Sequence, residues 1–168
     1  MKLARTIRFD ESDDNVFRLA AGPDELAVSG AFAFSNLAEG DLAGKLRQEF
    51  ANGWLGLESC GRATFVAVTR VTEAERDQAV MRLAAHFVSD YGAPSLEAAL
   101  PVAAEEVAYM LDLCEAHKPN TLLIVERTLE EAGVREAFRV IETAEANIVD
   151  VIGPEAASHA SMVLKLDE

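Results

Sequence analysis

The chain carries two cysteines and three histidines, and their placement decides which reactions its side chains could support. Cys60 and Arg62 lie in the segment NGWLGLESCGR, which also holds Trp54, the only tryptophan. A cation beside a thiol lowers its pKa and raises its reactivity. A cysteine hydrolase needs in addition an imidazole base and an oxyanion hole. His86, His117 and His159 are available as bases, but none stands in a recognisable signature around Cys60. Two readings follow. In one, Cys60 is a small, mostly apolar core residue. In the other, Trp54, Cys60 and Arg62 meet one of the histidines in a pocket for a small anionic or thioester-like substrate, with Arg62 holding the anion.

Cys114 and His117 form a C-x-x-H pair. On a helix that spacing puts both on one face, so joint metal binding is geometrically open, but a closed zinc site needs two more ligands. Cys114 also continues an apolar helical stripe, which a core role explains fully. No metal and no cofactor is expected, and His117 remains a candidate ligand-binding residue. Gly53, Gly56 and Gly61 precede a strand rather than a helix and match neither G-x-G-x-x-G nor the P-loop, so they predict a tight connection with Trp54, Leu55 and Leu57 plugging the core. The acidic run Asp10–Asn15 places Asp10, Ser12 and Asp14 at the first EF-hand positions. Asn15 and Ala21 then stand where glycine and glutamate are needed, so a solvated turn or a helix cap is expected. Glu105 and Glu106 fall in the first turns of a predicted helix and read as a solvated face.

These residues sit in an acidic body. Lys and Arg total 15 against 29 Asp and Glu, a net charge of −14, while half of all residues are hydrophobic. The charge argues against nucleic acid and anionic membranes as partners. The apolar content is enough to offset chain entropy and build a core. A length of 168 residues suits a single domain over 1–168. The cysteine count rules out a disulfide scaffold, the N-terminus MKLARTIRFDESDD lacks the apolar region of a secretory signal, and no apolar run reaches membrane-spanning length. A cytoplasmic protein is the expectation.

Apolar alternation predicts strands over 3–9, 26–34, 63–71 and 121–129. In the second of these, Gly30 marks a bulge or gap. Asp41 is placed to cap a short helix to about Ala51. Thr72 and Glu75 make a capping box. The helix they open presents Val80, Leu83, Ala84, Phe87 and Val88 on one face and ends near Tyr91-Gly92. Ser95 caps a short turn, and Pro101 suits the first position of a longer helix whose stripe is Ala103, Val107, Met110, Cys114 and His117. Val134–Ile141 fits either a helix or a strand; a four-residue turn after a strand favours a hairpin. Short strands follow at 148–152 and 160–166. Strands, two consecutive helices, then strands, without βαβ alternation, predict an α+β fold: a mostly antiparallel sheet with a helical pair on one face.

The segments RTIRFDESDDNVF, VSGAFAF and RQEFANGWLGLESCGRATF resemble a small family of uncharacterised bacterial proteins of about this length. That resemblance implies a stand-alone domain and transfers no activity and no site residue. The reading that emerges is a binding or accessory domain acting on a protein or a small ligand, with the pocket enzyme as the alternative. A sheet with open edges favours a homodimer, and the acidic surface favours a basic protein partner.

Overall fold

A computed structural model describes residues 1–141. Seven strands, β1 (Lys2–Ile7), β2 (Leu26–Val28), β3 (Trp54–Gly56), β4 (Arg62–Ala63), β5 (Phe65–Arg70), β6 (Leu122–Glu130) and β7 (Gly133–Ile141), form one sheet in the order β4-β3-β2-β1-β5-β6-β7. Every neighbouring pair is antiparallel. The helices are α1 (Ser12–Val16), α2 (Gly44–Asn52), α3 (Glu73–Tyr91) and α4 (Leu96–Glu115). The consecutive pair α3–α4 packs together, with α4 lying over β1 and β2, while α2 packs against β6. The fold is α+β, as the order of elements in the sequence predicts. No helix among the described residues is long and apolar enough to cross a membrane.

Local signals set several boundaries. Thr72 Oγ1 accepts from Glu75 N at 3.1 Å and Glu75 Oε1 accepts from Thr72 N at 2.9 Å, so both halves of the capping box form. α3 buries Ala79, Leu83, Ala84 and Phe87, and α4 buries Ala99, Ala103, Val107, Met110 and Cys114. These side chains meet Leu3, Val28, Trp54, Val66, Val68, Leu123 and Phe138 in the main core. Val134–Ile141 is a strand, paired with β6 in a hairpin that sets Val125 opposite Phe138 and Leu123 opposite Val140.

Four expectations fail for identifiable reasons. The strand expected over 26–34 stops at Val28: Gly30 takes a left-handed φ of 78°, and Ala31–Phe34 is a 3-10 turn. That turn directs the carbonyls of Ser29 and Gly30 onto two buried arginines, so side-chain burial elsewhere overrides the local alternation. Pro101 does not start α4. It lies inside the helix that Ser95 caps through Ala98 N at 3.0 Å, and the hydrogen bond it cannot make falls at exposed Glu97, where water can substitute. Asp41 does not cap α2, which begins at Gly44; its carboxylate accepts from Ala38 N at 2.8 Å and closes the 3-10 turn Glu39–Asp41. The run 10–15 is not simply solvated, because Asp13 in α1 is buried and accepts from Thr64 Oγ1 at 2.7 Å. The strands expected at 148–152 and 160–166 lie outside the described residues.

Candidate functional site

The loop between β3 and β4 brings the candidate thiol and cation to one wall. Glu25, buried just before β2, clamps this loop: its Oε1 accepts from Glu58 N at 3.0 Å and from Ser59 N at 2.9 Å, and its Oε2 accepts from Gly22 N at 2.6 Å. Gly61 then passes against the chain at Ala20. A Cβ there would come within 2.6 Å of the Ala20 carbonyl carbon, so only glycine permits the approach. Cys60 is held at a φ of 64°, a conformation that non-glycine residues seldom adopt.

Its sulfur lies 3.2 Å from His86 Nδ1 on α3, a contact between residues 26 positions apart in sequence. Burial pushes the Cys60 thiol pKa up, the charges of Asp90 and Glu25 push it further, and Arg62 pulls it back without reversing the direction. His86 is pushed down by burial, with Asp90 opposing. The resting pair is therefore a neutral thiol beside a neutral imidazole. Asp90 Oδ2 also contacts Nδ1, at 2.8 Å. Thiol and carboxylate thus share one ring nitrogen instead of occupying the two, so this is not the nucleophile–base–orienter chain of a hydrolase. An oxyanion hole from this loop is also missing. The N–H groups of residues 58 to 62 are all taken, by Glu25 Oε1 twice, Gly56 O, Ser59 Oγ and Leu19 O.

Arg62 is buried, 6 % exposed. Its Nη1 donates to Gly53 O at 3.1 Å and, weakly, to Ser29 O at 3.4 Å, and Nη2 donates to Gly30 O at 3.2 Å. A guanidinium has five N–H donors, so two remain after these neutral carbonyls, and no carboxylate among the described residues pairs with it. Burial, with Arg127 close by, pulls its pKa down to about 9. The Arg62 guanidinium lies 4.8 Å from the centroid of the Phe34 ring, and that of Arg127 lies 5.2 Å from it.

Arg127 is the better compensated of the two. Its Nε donates to Glu136 Oε2 at 2.8 Å, Nη1 to the carbonyls of Phe50 at 2.9 Å and Gly53 at 3.0 Å, and Nη2 to Ser29 O at 2.6 Å. Ser29 Oγ donates to the same Glu136 oxygen. Glu106, expected on a solvated face, is half-buried; burial raises its carboxyl pKa, and Glu136 and then Glu105 add to the shift. Glu49, buried on α2, accepts from Arg18 N and Arg18 Nη2, both at 2.7 Å. Burial pushes Glu49 up, but Arg18 outweighs it and holds the carboxyl below its usual range.

Together these groups line a cavity of about 280 Å³, with Arg18, Glu49, Cys60, Arg62, His86 and Tyr91 as its polar wall and Leu19, Phe34, Leu46 and Leu55 among its apolar lining. Of the residues singled out in sequence, Cys60 and Arg62 meet here. Trp54 does not line it: it is fully buried, stacked on Phe138 at 5.6 Å, and its indole N–H has no partner among the described residues. His117 is also elsewhere, at the end of α4, where its carbonyl accepts from Lys2 Nζ at 2.8 Å. Cys114 is fully buried and its thiol is pushed up to about 12, chiefly by burial. Among the described residues no group of three or more histidine, cysteine or acidic side chains could hold a metal. His159 lies outside the described residues.

Sequence reasoning missed Arg127, Glu136, Glu49 and Arg18. A signal existed for the first two. Arg127 follows Leu123 and Val125 in the buried phase of β6, Glu136 precedes Phe138 and Val140 in the buried phase of β7, and the hairpin sets the two directly opposite.

The His86 environment has a pH consequence. Its folded pKa lies below the ordinary 6.5, so between the two values the unfolded chain binds more protons and stability is lost as pH falls. His86→Gln is expected to remove that share of the slope between pH 7 and the folded pKa. Glu106, raised, contributes the opposite sign nearer the carboxylate range. Urea unfolding of both proteins at stepped pH checks this; identical slopes would refute it.

Comparison with curated proteins and with solved structures finds no match. A family model does match, over residues 1–160, and the chain belongs to that family of unknown function, DUF6505.

Proposed function

We propose that this protein is a small-ligand binding module, and that its pocket takes a small monoanion, a carboxylate with a short apolar body. The observation that carries this reading is Arg62: a buried guanidinium on the pocket wall, held by three neutral carbonyls, with two N–H donors left over among the described residues. Burying a cation without a counter-charge is costly, and an anion entering the pocket offsets that cost with charge-assisted hydrogen bonds. Arg18 and Glu49 already neutralise each other, which leaves one positive charge among the cationic and acidic wall residues and favours a single negative charge on the ligand. Leu19, Phe34, Leu46 and Leu55 suit an apolar body, and the cavity volume limits it to a few carbons.

Acyl transfer at Cys60 is the weaker reading, given the occupied loop N–H groups and the shared imidazole nitrogen. Calorimetric titration with propionate, butyrate and hexanoate tests the binding reading, with propanol as the uncharged control. Binding of one or more carboxylates and none of propanol is expected, and Leu46→Trp, which fills the apolar end, should weaken it at least tenfold. Equal response to acid and alcohol, or none to either, sinks the proposal.

A further inference from the structure

The same pocket that presents Arg62 presents a thiol and a base, and this combination goes beyond reversible anion binding. Resting on the carboxylate reading above, we propose that Cys60 bonds covalently to ligands whose carboxylate sits on Arg62 and whose electrophilic carbon lies next to that carboxylate. The class comprises 2-oxo or aldehydic acids and 2-halo acids.

Three observations support it independently of the anion site. Cys60 is the partly exposed cysteine, whereas Cys114 is fully buried. Its backbone is held in a left-handed conformation by the clamped loop, with Cys60 N bonded to Gly56 O at 3.0 Å. Its sulfur meets an imidazole nitrogen at 3.2 Å, within reach for proton transfer on a small adjustment.

The neutral resting pair suits a coupled step. As the sulfur bonds to the electrophilic carbon, its proton passes to His86 Nδ1. Asp90, whose side chain is 54 % exposed, turns to solvent, and the ring takes the tautomer with its hydrogen on Nε2, so that the lone pair of Nδ1 faces the thiol. With a 2-oxo or aldehydic acid the carbonyl π pair moves onto oxygen, which takes the proton back from His86 to give a hemithioketal or hemithioacetal. With a halo acid the carbon–halogen bond breaks and halide leaves with the pair. Neither route needs an oxidant, a reductant or an oxyanion hole built from backbone N–H groups. The developing alkoxide is neutralised by the returning proton.

Paired alkylation of the native protein with iodoacetate and iodoacetamide tests this, because the two probes differ in charge and share a leaving group. Peptide mass spectrometry reads Cys60, and Cys114 serves as the internal buried control. The ratio of iodoacetate to iodoacetamide rates at native Cys60 is expected to exceed the ratio at the same residue in urea by at least tenfold. Propionate should slow iodoacetate, and His86→Gln should slow it roughly tenfold while keeping the preference for the anion, as expected for loss of a general base. A ratio no higher than in urea, or Cys60 as resistant as Cys114, overturns the proposal. Propionate titration of Cys60→Ser separates the two ideas. If that variant binds propionate while wild-type Cys60 fails the alkylation test, covalent capture falls and the binding site stands. If neither wild type nor variant binds propionate, the anion reading falls as well.

Discussion

Replacing Arg127 with methionine is expected to cost about 3–5 kcal/mol of folding stability. Arg127 Nε holds Glu136, and its two terminal nitrogens satisfy the carbonyls of Ser29, Phe50 and Gly53. Methionine fills most of the space and satisfies none of them. Glu136 would be left facing the half-buried Glu106 without its cation, and the carbonyls of Ser29, Phe50 and Gly53 would lose a shared donor. Much of the cost of breaking a buried pair is the stranded partner. The double variant Arg127→Met/Glu136→Leu should therefore recover a substantial part of the loss, although the stranded carbonyls keep it below wild type. Urea unfolding of the singles and the double measures the coupling. A single variant within about 1 kcal/mol of wild type, or a double no better than the single, would show that the network is dispensable.

Gly30→Ala is expected to destabilise the protein by about 2–4 kcal/mol, combining backbone strain with a steric clash. A Cβ at Gly30 would lie 2.6 Å from Arg62 Nη1 and 2.7 Å from Leu55 Cβ, on a residue with φ of 78°. Leu55 Cβ is fixed by β3, so the arginine must give way. It can do so only by releasing the carbonyls of Ser29, Gly30 and Gly53, which position it at the pocket. The variant should thus lose carboxylate binding along with stability. Gly40→Ala is the control: nothing lies within 4 Å of its Cβ position, and a change within about 0.5 kcal/mol is expected. Thermal unfolding with and without propionate reads both effects. A Gly30→Ala protein as stable as the control, or one that keeps full propionate affinity, would contradict this account of the turn.

The two arginines also explain why the fold is more legible in the sequence than the site. The capping box at Thr72 and the apolar stripes of α3 and α4 are set by residues a few positions apart, and the β6–β7 hairpin by two segments joined by a short turn. Helical periodicity reports the stripes directly, and the short turn after β6 favours the hairpin where periodicity alone leaves Val134–Ile141 open. With these elements in place, the α+β class follows from their order. The pocket depends on contacts that no local pattern encodes. Cys60 meets His86 across 26 positions, Arg18 meets Glu49 across 31, and Arg127 gathers carbonyls from α2, the residue after it and the residue after β2. Where such long-range demands conflict with local pattern, they prevail. The apolar alternation of 26–34 breaks at Gly30 because buried guanidinium groups need carbonyl partners more than the sheet needs further strand residues. Sequence alone determined which residue types could do chemistry here. Tertiary packing decided that Cys60, His86 and Arg62 share one cavity and that Trp54 and His117 do not, because burial and hydrogen-bond satisfaction are properties of the assembled chain.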